Sequence, residues 1–320
     1  MPAPDLADVR DAEKRIRNHI RHTPLIHSAG LSEQCGREVY LKLENQQLTG
    51  SFKVRGALNA IASLSPADRK RGVVTASAGN HGAGVALAAR VFGVPATVFL
   101  PDDAPAAKRD RIREAGAEIR MIRGGYDQAH AKAVAHAAEG GAIYLHAFSD
   151  PAVVAGQGTV ALEILSVLPE LGTMVIPVGG GGLVGGMGIV ARSISRHTRV
   201  VGVQTPETSA MYQSLQRGEL VAAPVESTIC EGLAGDIDQA SFRLGREVID
   251  EMVVVEEATV RRSIAWLFRE QGVTAEGSGA VGVAALLGGL AIDLPAPVAV
   301  VITGGNIDPD QLRVALEEDH

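Results

Sequence analysis

The sequence predicts an α/β fold built on open, mostly parallel sheets. Short apolar segments of strand length alternate with segments of helical periodicity along most of the 320 residues. Three of the predicted strands end in glycine-rich turns, with the sequences SAGNHG, GGGGLVGG and TGGN. Because ligands bind at the carboxyl ends of strands in open α/β sheets, three such turns predict one small-molecule crevice.

The elements of the first half follow in a regular order. Apolar residues at positions 6, 9, 16 and 20 mark an amphipathic helix, followed by an extended TPLIHS segment and a short helix near Leu31. The next predicted elements are a strand at 38–43, a helix with Ser51 as its N-cap, a strand at 73–77, a helix at 82–92, a strand at 96–100, a helix at 106–115, the strand EIRMI, a helix at 128–138 and the strand AIYLHA.

The second half continues the alternation. Its predicted elements are a long helix through 160–168, the strand MVIPV, a glycine-opened helix to Ser193, the strand RVVGVQ, strands at 252–255 and 298–303, and helices at 259–270, 278–290 and 310–318.

Composition argues against several classes of function. A formal net charge of -7 and an aromatic content of 3% provide neither a basic surface nor stacking platforms, so we expect no nucleic-acid partner. Cys35 and Cys230 have no metal-ligand spacing and form no disulfide framework, which suits a reducing cytosol. The first residues are charged and do not resemble an export leader, so we expect a cytoplasmic protein. The uncharged run at 171–191 contains Pro177 and a glycine block, which predicts a strand, a loop and a packed helix rather than a membrane span.

The segment VGGGGLVGG at 178–186 predicts a phosphate site. Four consecutive glycines between a strand and a helix leave backbone N–H groups unscreened, and the helix N-terminus adds a dipole that favours an anion. Four consecutive glycines are costly in conformational entropy, which favours a turn whose backbone must approach another group closely.

The same segment leaves a dinucleotide-binding fold open as an alternative. Gly180, Gly182 and Gly185 satisfy G-x-G-x-x-G, which would suit a nicotinamide-dependent oxidoreductase. Such folds carry an acidic residue at the end of the next strand, and here that strand ends at Gln204. No G-K-[ST] follows any loop, so a single phosphate ester fits best.

Lys53 is the candidate catalytic residue. It falls in the first predicted turn of a helix, where the positive end of the helix dipole disfavours a second positive charge. The same field favours the neutral amine that condenses with a carbonyl. A Schiff-base lysine together with a cradle for one phosphate points to pyridoxal 5'-phosphate (PLP) as cofactor.

The chain resembles the fold-type II PLP-dependent enzymes, of which the β-subunit of tryptophan synthase is one, in the branch that holds threonine dehydratase and serine racemase. The matching segments are SFKVRGA, SAGNHGAGVA, FSDPAVVAGQGTVALEI, VGGGGL, EGSGA and TGGNID, in the family's order over nearly the full length. The resemblance implies two open, mostly parallel α/β domains with the cofactor between them. Residues 1–69 and 150–320 would form the large domain, and residues 70–149 the small one.

The resemblance also implies roles for individual residues. Lys53 would join the cofactor, Phe52 would pack on its ring, Asn80 would bind the ring hydroxyl, and Thr303 would face the pyridine nitrogen. Glu276 would lie near the ring and Gly232 near the hydroxyl. The cofactor-binding set is Phe52, Lys53, Asn80, Gly179, Gly180, Gly181, Gly182, Leu183, Gly232, Glu276 and Thr303. The substrate carboxylate would bind the loop formed by Ser77, Ala78, Gly79 and His81.

Two departures from the family refine the expectation. Racemase-like members carry a second serine, the base for the opposite face of the substrate, where this chain has Ala78. Those relatives also have acidic metal ligands where this chain has Gln204 and Ala210, so we expect no divalent ion there.

The expected function is a PLP-dependent ammonia-lyase acting on L-threonine or L-serine, as a homodimer or higher homo-oligomer. The chain ends in a short helix after TGGNID, so we expect no feedback control by isoleucine. Open alternatives are a dehydratase for 3-hydroxyaspartate, phenylserine or a hydroxyectoine-derived compound, a serine racemase, a silent PLP-binding protein, and the oxidoreductase.

Overall fold

The computed structural model describes residues 3–222, 227–290 and 293–318. Within these ranges the strands are β1 (Leu25–His27), β2 (Val39–Lys42), β3 (Val73–Ala76), β4 (Ala96–Pro101), β5 (Glu118–Ile122), β6 (Ile143–Tyr144), β7 (Thr173–Pro177), β8 (Arg199–Gln204), β9 (Glu251–Val254) and β10 (Val298–Val301).

The helices connect these strands and cover both faces of the sheets. They are α1 (Leu6–Ile16), α2 (Ala29–Cys35), α3 (Lys53–Ser63), α4 (Pro66–Arg71), α5 (Asn80–Phe92), α6 (Ala106–Glu114), α7 (Tyr126–Gly140), α8 (Pro151–Val167), α9 (Gly182–Ile194), α10 (Ala210–Arg217), α11 (Gln239–Val248), α12 (Glu257–Gln271), α13 (Gly277–Leu287) and α14 (Pro309–Glu318). Short 3-10 helices lie at Glu44–Gln46 and Pro206–Thr208.

The described strands form two sheets, which confirms the predicted mostly parallel α/β class. The larger sheet has the order β1-β2-β10-β7-β8-β9, and the smaller has the order β5-β4-β3-β6. Every pairing is parallel except that of β1 with β2. The glycine-rich turns that follow β3, β7 and β10 therefore lie at carboxyl edges of the two sheets.

Strand β10 shows how the larger sheet is buried on both faces. Its side chains alternate, with Ala299 and Val301 packing against α1, α8 and α9, and Val298 and Val300 packing against α12 and α13. All four residues are fully buried. The apolar runs without polar alternation in the sequence reflect this environment, which is usual for parallel strands.

Helix α3 begins at Lys53, so Lys53 lies in the first turn as predicted, but Ser51 is not the N-cap. Phe52 occupies that position in a helical conformation, and no side chain caps the helix. Ser51 instead forms a β-bridge with Gly304, and its buried hydroxyl has no hydrogen-bond partner among the described residues. Ser51 pairs with Gly304 while Phe52 takes the N-cap position, and this contact between residues distant in sequence leaves no local signal.

Helix α3 crosses α8 at a contact that glycine makes possible. A Cβ atom on Gly156 would lie 2.7 Å from both the Arg55 carbonyl oxygen and the Gly56 Cα. The two backbones therefore touch, and α8 supports the first turns of the helix that carries Lys53.

The apolar run at 171–191 has the predicted structure, with β7 and the start of α9 buried and a glycine turn between them. Among the residues that the structure describes, no helix combines the length and apolarity that crossing a bilayer requires.

Candidate active site

The Lys53 amine lies in a cleft between the two sheets, and its side chain is half-buried. Its Nζ donates a hydrogen bond of 3.2 Å to the carbonyl oxygen of Ala147, in the segment that joins β6 to α8. Burial lowers the pKa of Lys53 from an ordinary 10.5 to about 8, and the nearby Glu276 carboxylate partly opposes this effect by raising it. The sequence predicts that the helix dipole lowers the pKa of Lys53, whereas burial is the largest cause in the structure.

The glycine turn after β7 is a cradle with no room for side chains. A Cβ on Gly180 would overlap the ring of Phe148, and one on Gly182 would lie 2.8 Å from the Phe148 carbonyl oxygen. Gly181 has a φ of 90°, which a residue with a side chain adopts only with strain. Helix α9 then starts at Gly182 with neither a side-chain cap nor an acidic residue in its first turn. Its N-terminal amides suit an anion.

The segment around Phe148 joins the cradle to the lysine. The Ala147 carbonyl oxygen accepts a hydrogen bond from the Lys53 amine, and the ring of the next residue, Phe148, packs on Gly180. The two features that the sequence connected only through chemistry, a lysine and a phosphate cradle, are therefore neighbours in space.

Asn80, Glu276 and Asn306 form a hydrogen-bonded chain beside Lys53. Asn80 Nδ2 donates to Glu276 Oε1 at 2.7 Å, and Asn306 Nδ2 donates to Asn80 Oδ1 at 2.6 Å and to the Thr49 carbonyl at 2.8 Å. This arrangement fixes the orientation of the Asn80 amide, because a carboxylate only accepts and the Asn306 amide nitrogen only donates. One N–H of Asn80 remains for another acceptor.

Glu276 is held at the bottom of the cleft by close backbone contacts. Burial raises the pKa of its carboxyl, and hydrogen bonds from Asn80 and from the Asn306 backbone partly lower it. A Cβ on Gly304 would lie only 2.5 Å from Glu276 Oε1, and one on Gly232 would lie 3.7 Å from it. The predicted residues Glu276, Asn80 and Gly232 therefore come together around one point.

Thr303 completes the wall next to Phe52. The Phe52 N–H donates to the Thr303 carbonyl at 3.1 Å, and the Thr303 hydroxyl donates to the Ser278 carbonyl at 3.3 Å. The Ser278 hydroxyl in turn accepts the Gly232 N–H at 2.8 Å. Thr303 thus retains lone pairs on its oxygen but has no negative charge to offer a ring nitrogen.

The loop at 77–79 and the first turn of α5 lie at the entrance. Helix α5 begins at Asn80, two residues earlier than predicted, so Asn80 and His81 are helical and Ser77, Ala78 and Gly79 form the turn before them. The Ser77 hydroxyl accepts the Gly79 N–H at 3.2 Å, and Gly79 is exposed. This turn and the helix start provide backbone N–H groups for a carboxylate.

His81 points into the protein rather than into the cleft. Its ring is 3% exposed, and Nε2 lies 3.2 Å from the carbonyl oxygen of Leu145. Burial, with the charge of Lys53 as a smaller cause, lowers the pKa of His81 to about 3. The ring is neutral at physiological pH and attracts no carboxylate by charge, so a substrate role for His81 would have to use its backbone N–H.

The position of the acidic ligands in racemase-like proteins is filled by a structural amide. Gln204 Nε2 donates to the Thr208 carbonyl at 2.5 Å, and Gln204 Oε1 accepts the Tyr212 N–H at 2.8 Å. Among the described residues, no group of three or more His, Cys, Asp or Glu side chains is arranged to hold a metal ion.

Asn306 and the segment at 147–148 belong to the site, although the sequence did not predict a role for them. Asn306 belongs to TGGNID and could have been singled out as a motif residue, but its contact with Asn80 spans 226 positions. Nothing local in the sequence marks Ala147, because it contributes a backbone carbonyl.

These features define an enzyme that binds an aldehyde cofactor bearing one phosphate. The cradle at 179–182 fits a phosphate, the partly neutral Lys53 amine fits an aldehyde, and the free N–H of Asn80 fits a ring hydroxyl. PLP has all three groups, so the residues present fit it.

Comparison with known proteins agrees with this class. The family model described as "Pyridoxal-phosphate dependent enzyme" matches residues 16–304. The chain is 44% identical to an L-threonine ammonia-lyase of Thermotoga maritima over 96% of its own length and 77% of that protein. The chain therefore belongs to the pyridoxal-phosphate dependent enzyme family.

Solved structures show the same architecture. The maize serine racemase has a TM-score of 0.94 and 30% identity, covering 99% of this chain and 98% of that one. The processed threonine deaminase isoform 2 of Solanum lycopersicum has a TM-score of 0.91 and 30% identity, covering 99% and 94%. These similarities place the chain in fold type II and remove the dinucleotide-binding alternative.

Replacing Gly180 with alanine should weaken PLP binding by about tenfold or more. The added methyl group forces Phe148 to move, and overpacking of this kind typically costs about 1–3 kcal/mol. Fluorescence or absorbance titration of cofactor-free protein with PLP measures the effect. Gly140→Ala in α7 is the matched control, because its Cβ would meet nothing closer than 3.9 Å. Equal PLP affinity in both variants would contradict the cradle assignment.

Asn306→Ala should also weaken PLP binding, by roughly tenfold. The variant leaves Asn80 Oδ1 without its donor and frees the amide to rotate, and an unpaired buried group typically costs about 1–3 kcal/mol. Asn45→Ala is the matched control. It removes a comparable 3.0 Å hydrogen bond, from Asn45 to the Thr274 carbonyl, that does not involve Asn80. We expect PLP affinity near wild type for Asn45→Ala, and similar losses in both variants would refute the orienting role.

The rate of PLP incorporation into cofactor-free protein should rise about tenfold per pH unit and level off near pH 8. Only the neutral Lys53 amine attacks an aldehyde, and its pKa is about 8. Stopped-flow absorbance from pH 6 to 10 gives the midpoint. Glu276→Gln should move the midpoint lower, because the Glu276 charge is the cause that raises this pKa. A wild-type midpoint near the ordinary lysine value would contradict the buried amine.

Proposed function

We propose that the protein is a PLP-dependent ammonia-lyase that eliminates water from L-threonine, giving 2-oxobutyrate and ammonia, and acts on L-serine in the same way. The names of the threonine ammonia-lyase and threonine deaminase relatives support this activity. The observation that carries the proposal is the Lys53 amine, a base of lowered pKa in a cleft that fits PLP.

Lys53 has two tasks in this proposal. Bound PLP supplies an aldehyde that condenses with amines and a ring that takes up the electron pair released at the substrate Cα. Lys53 would hold the cofactor through its amine and, as the free base, would remove the α-proton of the substrate. The Ala147 carbonyl, which accepts the free amine in the structure, would orient its lone pair during this step.

The other residues bind and orient. The amides at 179–183 would hold the phosphate, and Phe52 would pack against the ring. The turn at 77–79 and the start of α5 would hold the substrate carboxylate. The neutral Thr303 hydroxyl would face the ring nitrogen, which limits electron withdrawal and suits elimination of a β-hydroxyl group.

Ala78 favours a lyase over a racemase. Racemisation requires proton transfer on both faces of the Cα, whereas Ala78 packs its methyl group against the core between α5, α6 and β4 and has no proton to transfer. Gln204, with both ends of its amide already bonded, supports a site that works without a divalent ion.

Three further properties belong to the proposal. Residues 70–149 would form a small domain that closes on residues 1–69 and 150–320, since the bond from Asn80 to Glu276 joins the two parts. The family resemblance favours a homodimer or higher homo-oligomer. The free thiols of Cys35 and Cys230 suit a reducing cytoplasm.

Purified protein loaded with PLP should release 2-oxobutyrate from L-threonine, and Lys53→Ala should lower kcat by about 10³-fold or more, because it removes both the anchoring amine and the base. A coupled assay for the oxo acid measures kcat, and chiral chromatography of the remaining amino acid tests for racemisation. Lys70→Ala, an exposed lysine on α4, is the matched control and should retain full activity.

Two outcomes would contradict the proposal. Turnover by Lys53→Ala at the wild-type rate would exclude this lysine as the base. Accumulation of D-serine from L-serine by the wild-type protein would show that Ala78 does not prevent exchange on the second face.

A further inference from the structure

A cluster of four buried charged residues lies directly behind the start of α3. We define the Arg55 cluster as Lys42, Glu44, Arg55 and Glu163. Arg55 and Glu44 are completely buried, Lys42 is almost so, and Glu163 is 11% exposed. Arg55 and Lys42 are the largest fully buried side chains among the described residues, although neither belongs to the cofactor or substrate site.

The guanidinium of Arg55 is held on three sides. Its Nε and Nη2 donate to the two carboxylate oxygens of Glu44, both at 2.8 Å. Its Nη1 donates to Glu163 Oε1 at 2.7 Å and to the Thr159 hydroxyl at 3.2 Å. This planar, two-pronged arrangement fixes direction as well as distance.

Lys42 completes the cluster and balances its charge. Its Nζ donates to Glu163 Oε2 at 2.5 Å and to the Thr23 carbonyl at 2.7 Å, and the Thr23 hydroxyl donates to Glu44. Two positive and two negative groups leave no net charge. Replacing such a buried ion pair with apolar groups of similar volume often leaves stability unchanged or higher, so stability alone does not account for the cluster.

The cluster contacts the first turn of α3, a helix that starts without a side-chain cap. Lys42 ends β2, Glu44 opens the 3-10 helix after it, and Glu163 and Thr159 belong to α8. Helix α3 has no side-chain N-cap, so its first turn is oriented by contacts with these elements. Residues two positions apart in an α-helix point about 200° away from each other, so Lys53 and Arg55 lie on opposite sides of that turn.

We propose that Arg55 is a positioning residue. Its guanidinium, held by Glu44 and Glu163, fixes the rotation of the first turn of α3 and thereby the direction of the Lys53 amine. This inference rests on the role proposed above for Lys53. The pKa of Lys53 is set by its burial and by the charge of Glu276, and no member of the Arg55 cluster contributes to it. The cluster therefore acts on Lys53 through geometry.

Two variants separate positioning from folding. Arg55→Lys keeps the charge but loses the fork. The double variant Arg55→Met with Glu44→Gln removes one charge of each sign, leaves the bond between Lys42 and Glu163, and should therefore fold. In both holoenzymes we expect kcat for L-threonine to fall about 10- to 100-fold while KM changes less than about threefold, since a small misplacement of a reacting group has effects of this size.

Visible circular dichroism of the bound PLP provides a readout that a purely structural role would not change. We expect the signal of both variants to differ from wild type while the melting temperature of the double variant stays within a few degrees of it. Arg15→Lys is the matched control, because Arg15 contacts the same helix farther along, through a 3.2 Å bond to Asn59. It should leave kcat and the dichroism unchanged.

The outcomes distinguish this inference from the proposed function. Wild-type kcat and dichroism in Arg55→Lys would overturn the positioning role, and so would a double variant that fails to fold, which would assign the cluster to stability. Borohydride reduction followed by peptide mapping tests Lys53 independently of any substrate. Wild-type protein that is not labelled at Lys53 would overturn the proposed function itself.

Discussion

The partial burial of the Lys53 amine in the cleft is the constraint on which the rest of the site depends. A solvated lysine keeps its proton at neutral pH, whereas burial brings the pKa of Lys53 to about 8 and makes a neutral fraction available. The same burial requires nearby polar groups, and the Ala147 carbonyl and the Glu276 carboxylate supply them. Glu276 has little access to water and accepts a hydrogen bond from the Asn80 amide, and Asn80 accepts one from Asn306. The site is therefore a series of contacts, from Lys53 to Glu276, Asn80 and Asn306, in which each polar group depends on the next.

Much of the fold could be predicted from the sequence, because alternating apolar segments report local periodicity. The strands at β3, β7 and β10 and their glycine turns were predictable for that reason, and so was the cradle at 179–182. The short helices α4, α10 and α11 were missed, since they add no strand to the alternation. The sequence located the site but did not give all of its contacts. The local pattern predicted Ser51 as a helix N-cap, whereas Ser51 forms a bridge with Gly304. Asn306 and Arg55 act on partners that are distant in sequence, and no local pattern records such contacts.

The two sheets meet at the cofactor cleft through few polar bonds. Asn80, the first residue of α5, bonds to Glu276, which precedes α13 on the other side. An ion pair between Lys108 on α6 and Glu231, next to Gly232, also joins the two parts, with side-chain exposures of 31% and 57%. Ion pairs in such positions contribute little to stability. The part-buried hydrogen bonds of Asn80 with Glu276 and Asn306 therefore contribute more to the geometry between the sheets than the outer ion pair does.

The position of β10 has a consequence for how the protein is made. Among the described strands β10 comes last in sequence, yet it lies in the middle of the larger sheet, between β2 and β7. The smaller sheet uses residues that leave the ribosome early and can close before synthesis ends, while β2 and β7 must wait with their facing edges unpaired. Exposed edges of this kind invite association with other chains. Production of the protein should therefore be more sensitive to chaperone supply and to translation rate than its compact, well-buried native state suggests.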